Sequence, residues 1–120
     1  MESQKIAIRI PSFTTTFTGG KEVAFFKILV SNGRDDWELK HRFSEFDRLH
    51  NCLAERMKNL PAMPSKLGKL MYFAGGDINE DRRSGLEKYM KALVERKDVY
   101  SSLEFIEFLE VQFKISFLAR

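Results

Sequence analysis

Cysteine is nearly absent from this chain of 120 residues: Cys52 stands alone, so no internal disulfide can form and the chain suits a reducing compartment. One cysteine and two histidines, His41 and His50, cannot supply the four protein ligands of a structural zinc site without several carboxylates. Neither a metal nor a cofactor is expected. No stretch approaches the roughly 18 to 20 consecutive apolar residues that span a bilayer, and Met1-Glu2-Ser3-Gln4-Lys5 leads into no apolar signal-peptide core. Any membrane contact is therefore expected to be peripheral and made from the cytoplasm. Nor does one sign of charge dominate. Twenty basic residues face 17 acidic ones, interspersed along the whole chain, for a net charge of +3. That balance gives mild attraction to anionic partners but lacks the basic stripe of a nucleic-acid binder. The two histidines have no nameable partner for acid–base or nucleophilic chemistry, so catalysis is not expected.

What is present is material for one core. The hydrophobic fraction is 43%, with eleven phenylalanines, enough for a single domain of this length. In Lys5-Ile6-Ala7-Ile8-Arg9-Ile10 the isoleucines recur at every second position, which places them on one face of a strand that Pro11 can end. Thr14 to Gly20 has no period and reads as a loop; Val23 to Val30 is an apolar run of strand length. Asn32-Gly33 favours a tight reversal, after which Trp37 to Phe43 alternates again, so strands two and three form a hairpin. Ser44 with Asp47 resembles a capping box, and Phe46, Leu49, Leu53 and Met57 follow at helical spacing, giving a first helix from about 45 to 58. From Asn59 to Asp77 two prolines, three glycines and the apolar patch Leu70-Met71-Tyr72-Phe73 form a long loop, and loops of that length are usually functional. Leu86, Tyr89, Met90, Leu93 and Val94 mark a second helix. Ser101 with Glu104 caps a third, which carries Leu103, Ile106, Leu109 and Phe113. The expectation is an α+β fold, a three-stranded antiparallel sheet packed against three or more helices. A single domain is expected over 1–120, with its core at about 5–113 and 114–120 as a C-terminal extension.

Four segments then carry a resemblance. His41-Arg42-Phe43-Ser44-Glu45-Phe46 at the strand–helix junction, the proline stretch Leu60-Pro61-Ala62-Met63-Pro64-Ser65-Lys66, the apolar loop after it, and Arg82-Arg83-Ser84-Gly85-Leu86-Glu87-Lys88-Tyr89 opening the second helix stand in one order. In that order they resemble the phox-homology (PX) family over nearly the whole chain, from Ile6 to about Phe113. Ile10-Pro11-Ser12-Phe13 is also similar to small sorting nexins. The resemblance implies a PX fold and a phosphoinositide-binding, membrane-targeting module selective for phosphatidylinositol 3-phosphate, with an endosomal address. By the same resemblance Arg42 binds the 3-phosphate, and a guanidinium can grip two phosphate oxygens where lysine offers a point charge. Phe43 takes the position of an aromatic that stacks on the inositol ring, Lys66 that of the lysine contacting the 1-phosphate, and Arg82 that of the arginine holding the 4- and 5-hydroxyls. Leu70, Met71, Tyr72 and Phe73 occupy the place of the membrane-insertion loop, flanked by Lys66 and Lys69.

Each assignment has a plainer alternative. Strand alternation can turn Phe43 inward, the patch at Leu70 to Phe73 can pack under its own loop, and Arg82 can pair with Glu80 or Glu87. Phe46 reads as core and Arg83 as solvent-facing. Pro61-Ala62-Met63-Pro64 fits a PxxP ligand but reads better as a turn shaping the pocket. His41, where the family often has arginine or lysine, removes a permanent charge beside the site and can introduce pH dependence. The competing function is a protein-interaction module with weak or no lipid binding, its partner held on the helical face or on the apolar tail from Phe113 to Leu118.

Overall fold

The computed structural model describes residues 6–64 and 77–111. Three antiparallel strands come first, β1 (Ala7–Thr18), β2 (Lys21–Ser31) and β3 (Asp36–Arg42), ordered β1-β2-β3 in one sheet. Helices α1 (Phe43–Ala54), α2 (Ile78–Leu93), α3 (Lys97–Tyr100) and α4 (Leu103–Leu109) follow. One face of the sheet carries Ile8, Ile10, Phe26, Ile28, Val30, Trp37 and Leu39 into a buried cluster. Phe46, Leu49 and Leu53 of α1, the α2 stripe of Leu86, Tyr89, Met90 and Leu93, then Val99, Phe105 and Leu109 close over it. The fold is α+β, a sheet covered by helices on one side.

The first hairpin departs from the expectation. Pro11 does not end β1 and Thr14 to Thr18 is not a loop: the strand runs on to Thr18 and pairs with β2 down to Thr18↔Lys21. The register passes from Arg9↔Leu29 to Ser12↔Lys27, so Ile10 and Pro11 together oppose Ile28 alone, which is a β-bulge. Proline is tolerated because β1 is an edge strand and its missing N–H costs no ladder bond. The polar groups of Ile10 are satisfied from α2 instead. Its N–H donates to Glu87 Oε2 at 2.8 Å, and its carbonyl accepts from Arg83 Nη1 at 2.7 Å. Gly19 and Gly20, with φ of 59° and 80°, make the two-residue turn that strand twist favours. No apolar period marked Thr14–Thr18 because this part of the hairpin extends past the helical layer and both faces meet solvent.

The second reversal lies where Asn32-Gly33 placed it, as a four-residue loop. Asn32 Oδ1 accepts from the backbone N–H of Arg34 (2.9 Å) and Asp35 (2.8 Å), and Gly33 adopts φ 92°. Helix α1 starts two residues earlier than the capping-box reading: Arg42, not Ser44, is the N-cap residue, and the Glu45 carboxylate accepts the Arg42 N–H at 2.7 Å. Strand β3 and helix α1 therefore meet at one residue. Asp77 caps α2 by accepting from the N–H groups of Asn79 and Glu80. Ser102, rather than Ser101, caps α4, accepting from Phe105 N and donating to Val99 O. The one-turn α3 before it was not foreseen.

Candidate functional site

A depression of about 310 Å³ lies where the β1–β2 hairpin meets the N-terminal ends of α1 and α2. Its wall is Lys21 to Ala24 and Phe26 from β2, Arg42 to Ser44 from the β3–α1 junction, and Asn79 and Arg82 from the first turns of α2. The volume suits a small polar headgroup. Two helix N-termini border it, and such ends carry partial positive charge and unpaired N–H groups. Three basic side chains, Lys21, Arg42 and Arg82, stand against one acid, Glu22. A second depression of about 450 Å³ lies elsewhere on the sheet, lined by residues that include Arg9, Leu29, Trp37 and Glu38. It is larger, but Asp36 and Glu38 outnumber its one cation, so it suits an anion less well.

Of the residues singled out from sequence, Arg42, Phe43 and Arg82 converge on the first depression. The Arg82 guanidinium lies over the Phe43 ring, its central carbon 4.3 Å from the centroid, in cation–π geometry. Phe43 is half-buried and packs its inner edge against the core while its ring supports Arg82. Among the described residues the buried Arg82 Nε–H has no hydrogen-bond partner. Lys66 and the patch Leu70 to Phe73 lie outside the described residues.

Three expectations about neighbouring charges are corrected. Arg82 is not paired with Glu80 or Glu87. The adjacent Arg83 grips Glu80 through Nε and Nη2, at 2.6 to 3.0 Å, and Glu87 is turned to Ile10. Those hydrogen bonds hold the Glu80 carboxyl below the ordinary carboxylate range and raise the Arg83 guanidinium. Arg83 is accordingly not solvent-facing: its side chain is only 20% exposed and clamps β1 to α2. His41 does not border the depression. Its ring stacks on Phe108 of α4, with centroids 4.0 Å apart, and Nε2–H donates to the Phe108 carbonyl at 2.9 Å, so this position serves the docking of α4.

Lys21 and Asn79 were missed. Strand β2 was read to begin at Val23, which left Lys21 in a loop; the Gly19-Gly20 pair directly before it was the available signal. Asn79 sits one helical turn before Arg82, a spacing that puts the two on one face. Two contacts outside the wall hold the chain that follows α1. Gly85 of α2 lets Pro64 approach so closely that an added Cβ would stand 2.8 Å from the proline ring. Arg96 Nη1 donates to the carbonyls of Lys58 and Asn59, which fixes the chain as it leaves α1 towards the proline stretch.

A family model described as "PX domain" matches residues 29–112, more than half of the chain. The rat serine/threonine-protein kinase Sgk3 (Rattus norvegicus) is 32% identical over 108 residues, covering 88% of this chain and 21% of the kinase. Human sorting nexin-16 (Homo sapiens) is 34% identical over 87 residues, covering 70% of this chain and 25% of that protein. This chain thus spans about a fifth to a quarter of the length of these relatives. Among solved structures, a designed CISK-PX domain superposes with a TM-score of 0.73 at 31% identity, over 84% of this chain and 95% of that one. The mouse SNX19 PX domain, solved with a bound sulphate ion, gives 0.64 at 23% identity, over 88% and 96%, a likeness of fold. Among the described residues no helix is long and apolar enough to cross a membrane. The matched family model, the two relatives and the shared architecture establish that the chain belongs to the PX domain family, generally phosphoinositide-binding modules that target membranes.

Proposed function

We propose that this chain is a non-catalytic module that docks onto membranes carrying phosphatidylinositol 3-phosphate, with the headgroup captured in the depression between the hairpin and the two helix N-termini. The observation that carries the reading is the convergence of Arg42, Arg82 and Lys21 on that depression. Arg42 takes the 3-phosphate, its side chain placed at the N-cap of α1 where the helix dipole adds to its own charge. Arg82 meets the ring hydroxyls from its seat on Phe43, and the rest of the Phe43 ring meets the inositol. Lys66 reaches the 1-phosphate, and Leu70 to Phe73 enter the bilayer beside it. An arginine packed at the pocket wall leaves little room for phosphates at positions 4 and 5, so selectivity is partly exclusion.

The magnitudes support a joint mechanism. A net charge of +3 contributes only about 3 kcal/mol, at ~1 kcal/mol per basic residue near an anionic leaflet, short of the ~4 kcal/mol of millimolar binding. Two or three charge-assisted hydrogen bonds at about 1.5–3 kcal/mol each, with two inserted apolar side chains, reach the ~8 kcal/mol of micromolar binding after ordering costs. The lipid preference carries with it an endosomal address and a peripheral mode of attachment.

Flotation of liposomes containing each phosphoinositide in turn, with wild type and Arg42→Ala, tests the reading; circular dichroism confirms that the variant is folded. Binding confined to the 3-phosphate lipid and lost in the folded variant is expected. Failure of the wild type to bind any lipid would refute the reading and turn attention to the helical face as a protein-binding surface.

A further inference from the structure

The face of the sheet turned away from the helices is patterned by the strand register. Ala7, Ser31 and Asp36 stand in one row across β1, β2 and β3, and Arg9, Leu29 and Glu38 in the next; residues opposed in this way share a face. They alternate along their strands with Ile8, Val30 and Trp37, which point into the core. The depression of about 450 Å³ is built on these two rows. At its centre is Leu29, half-buried between the exposed Arg9 and Glu38. Two acids mark its β3 side. Glu38 lies 3.8 Å from Lys27, a loose pairing between exposed groups, and Asp36 has no ion pair among the described residues. An apolar centre beside an acidic rim suits an apolar segment that carries cations and no acid.

Such a segment starts beside the depression. The Leu109 carbonyl at the end of α4 accepts from Trp37 Nε1 at 2.8 Å, which ties it to the β3 residue between Asp36 and Glu38. Val111, also buried, follows. Residues 112–120, outside the described residues, contain Phe113, Ile115, Phe117 and Leu118, the two cations Lys114 and Arg120, and no acid. The path from one face of the sheet to the other rounds a single strand, because β3 is the last in the sheet order. Nine extended residues span up to about 30 Å, several times the ~5 Å between neighbouring strands. A tether this short gives an effective concentration of about millimolar, an advantage over any free partner of equal affinity. We propose that residues 112–120 fold back around the β3 edge and occupy this depression, with apolar side chains on Leu29 and with Lys114 and Arg120 beside Asp36 and Glu38. Burial of apolar surface holds the segment, and the charges select it over other apolar sequences.

Nuclear Overhauser spectroscopy on the full chain, labelled at its leucine methyl groups, reads what lies against Leu29. Contacts from the Leu29 methyl groups to the ring protons of Phe113 or Phe117 are expected within one chain. Lys114→Glu/Arg120→Glu reverses both cations of the segment and is expected to abolish those contacts and shift the Leu29 methyl resonances to solvent-exposed positions. The methyl resonances of Leu86 and Leu93, both fully buried in α2, should stay in place and certify that the variant is folded. Leu29 methyl groups that contact only Arg9 and Glu38 in the wild type would overturn the proposal. So would contacts that survive the double reversal. Contacts seen only between labelled and unlabelled chains in a mixed sample would also overturn it, giving the depression to a second copy. None of these outcomes bears on headgroup capture, since the two depressions share no lining residue.

Discussion

Replacing Arg83 with methionine isolates the clamp that holds α2 against the bulge of β1. Ile10 is fully buried, the residue lies outside the regular ladder at the bulge, and its carbonyl accepts from Arg83 Nη1 at 2.7 Å. Methionine keeps the aliphatic stem and its packing but removes the donor. The carbonyl is then left unpaired in a partly buried position, at a cost of about 1–2 kcal/mol. The lost pairing with Glu80 adds little, because that carboxylate is exposed and such pairs are weak in water. For a domain of this size about 1 kcal/mol corresponds to roughly 4 °C in midpoint, so the thermal midpoint should fall by about 4–8 °C. Glu87→Leu removes the acceptor of the Ile10 N–H and should act similarly. The double variant should lose less than the sum, because the two side chains hold the N–H and the carbonyl of one bulge residue, and the freed bulge can hydrate as a whole. Melting curves followed by circular dichroism give the three midpoints. A midpoint for Arg83→Met within about 1 °C of wild type, or strict additivity in the pair, would refute the reasoning: the bulge would then be held by strand pairing alone.

Other expectations concern the wall and its supports. Gly85→Ala places a methyl group 2.8 Å from the rigid Pro64 ring; the clash outweighs the gain in helix propensity, and a net loss of about 1–2 kcal/mol with displacement of the Met63–Pro64 segment should appear in melts and amide hydrogen exchange. Arg82→Met should leave the melting midpoint nearly unchanged, since Arg82 lies on Phe43 and its Nε–H has no partner among the described residues, yet should weaken binding of the soluble headgroup by about tenfold or more in calorimetry. Burial, with a smaller contribution from the Asp47 charge, pushes the Tyr89 phenol well above its ordinary value of 10.0. Its stabilising contribution is therefore complete below about pH 10 and lost as the pH rises towards the folded value. In melts across that range Tyr89→Phe should flatten the alkaline decline, and near neutrality it should cost about 1 kcal/mol for the 2.8 Å hydrogen bond shared with His50.

What could be read from the sequence was whatever obeys a local period or a compact motif. Ile8 and Ile10, Trp37 and Leu39, then Phe46, Leu49 and Leu53 announce which faces are buried, because each alternates or repeats against a solvated side. Arg42 and Phe43 were found at the site because the strand–helix junction that places them is itself encoded in six consecutive residues. Arg82 was assigned to the site through the family resemblance, but the clamp made by its neighbour Arg83 follows no local period. They differ by about 100° around α2, and which of them meets β1 depends on the bulge and on the seat offered by Phe43, both distant in sequence. For Lys21 and Asn79 the sequence signals were only local, a glycine pair and a helical spacing, whereas the wall they share is made by the approach of a hairpin to a helix nearly 60 residues later.

The bulge at Pro11 also explains a feature of β1 that no uniform alternation allows. Ile8 and Ile10 face the core, so a regular strand would send residues 12, 14 and 16 inward and the phenylalanines at 13 and 17 to the opposite face. The extra residue between Arg9 and Ser12 reverses the phase. Phe13 instead packs against Phe26 with ring centroids 6.0 Å apart, and Phe17 shares the face that bears the depression. The same irregularity releases the Ile10 N–H to Glu87 and the Ile10 carbonyl to Arg83, which fixes α2 and with it Arg82. A residue that looked like the end of a strand thus sets the phase of the hairpin and anchors the helix opposite it. The two walls of the candidate site owe their relative placement to one inserted position on an edge strand.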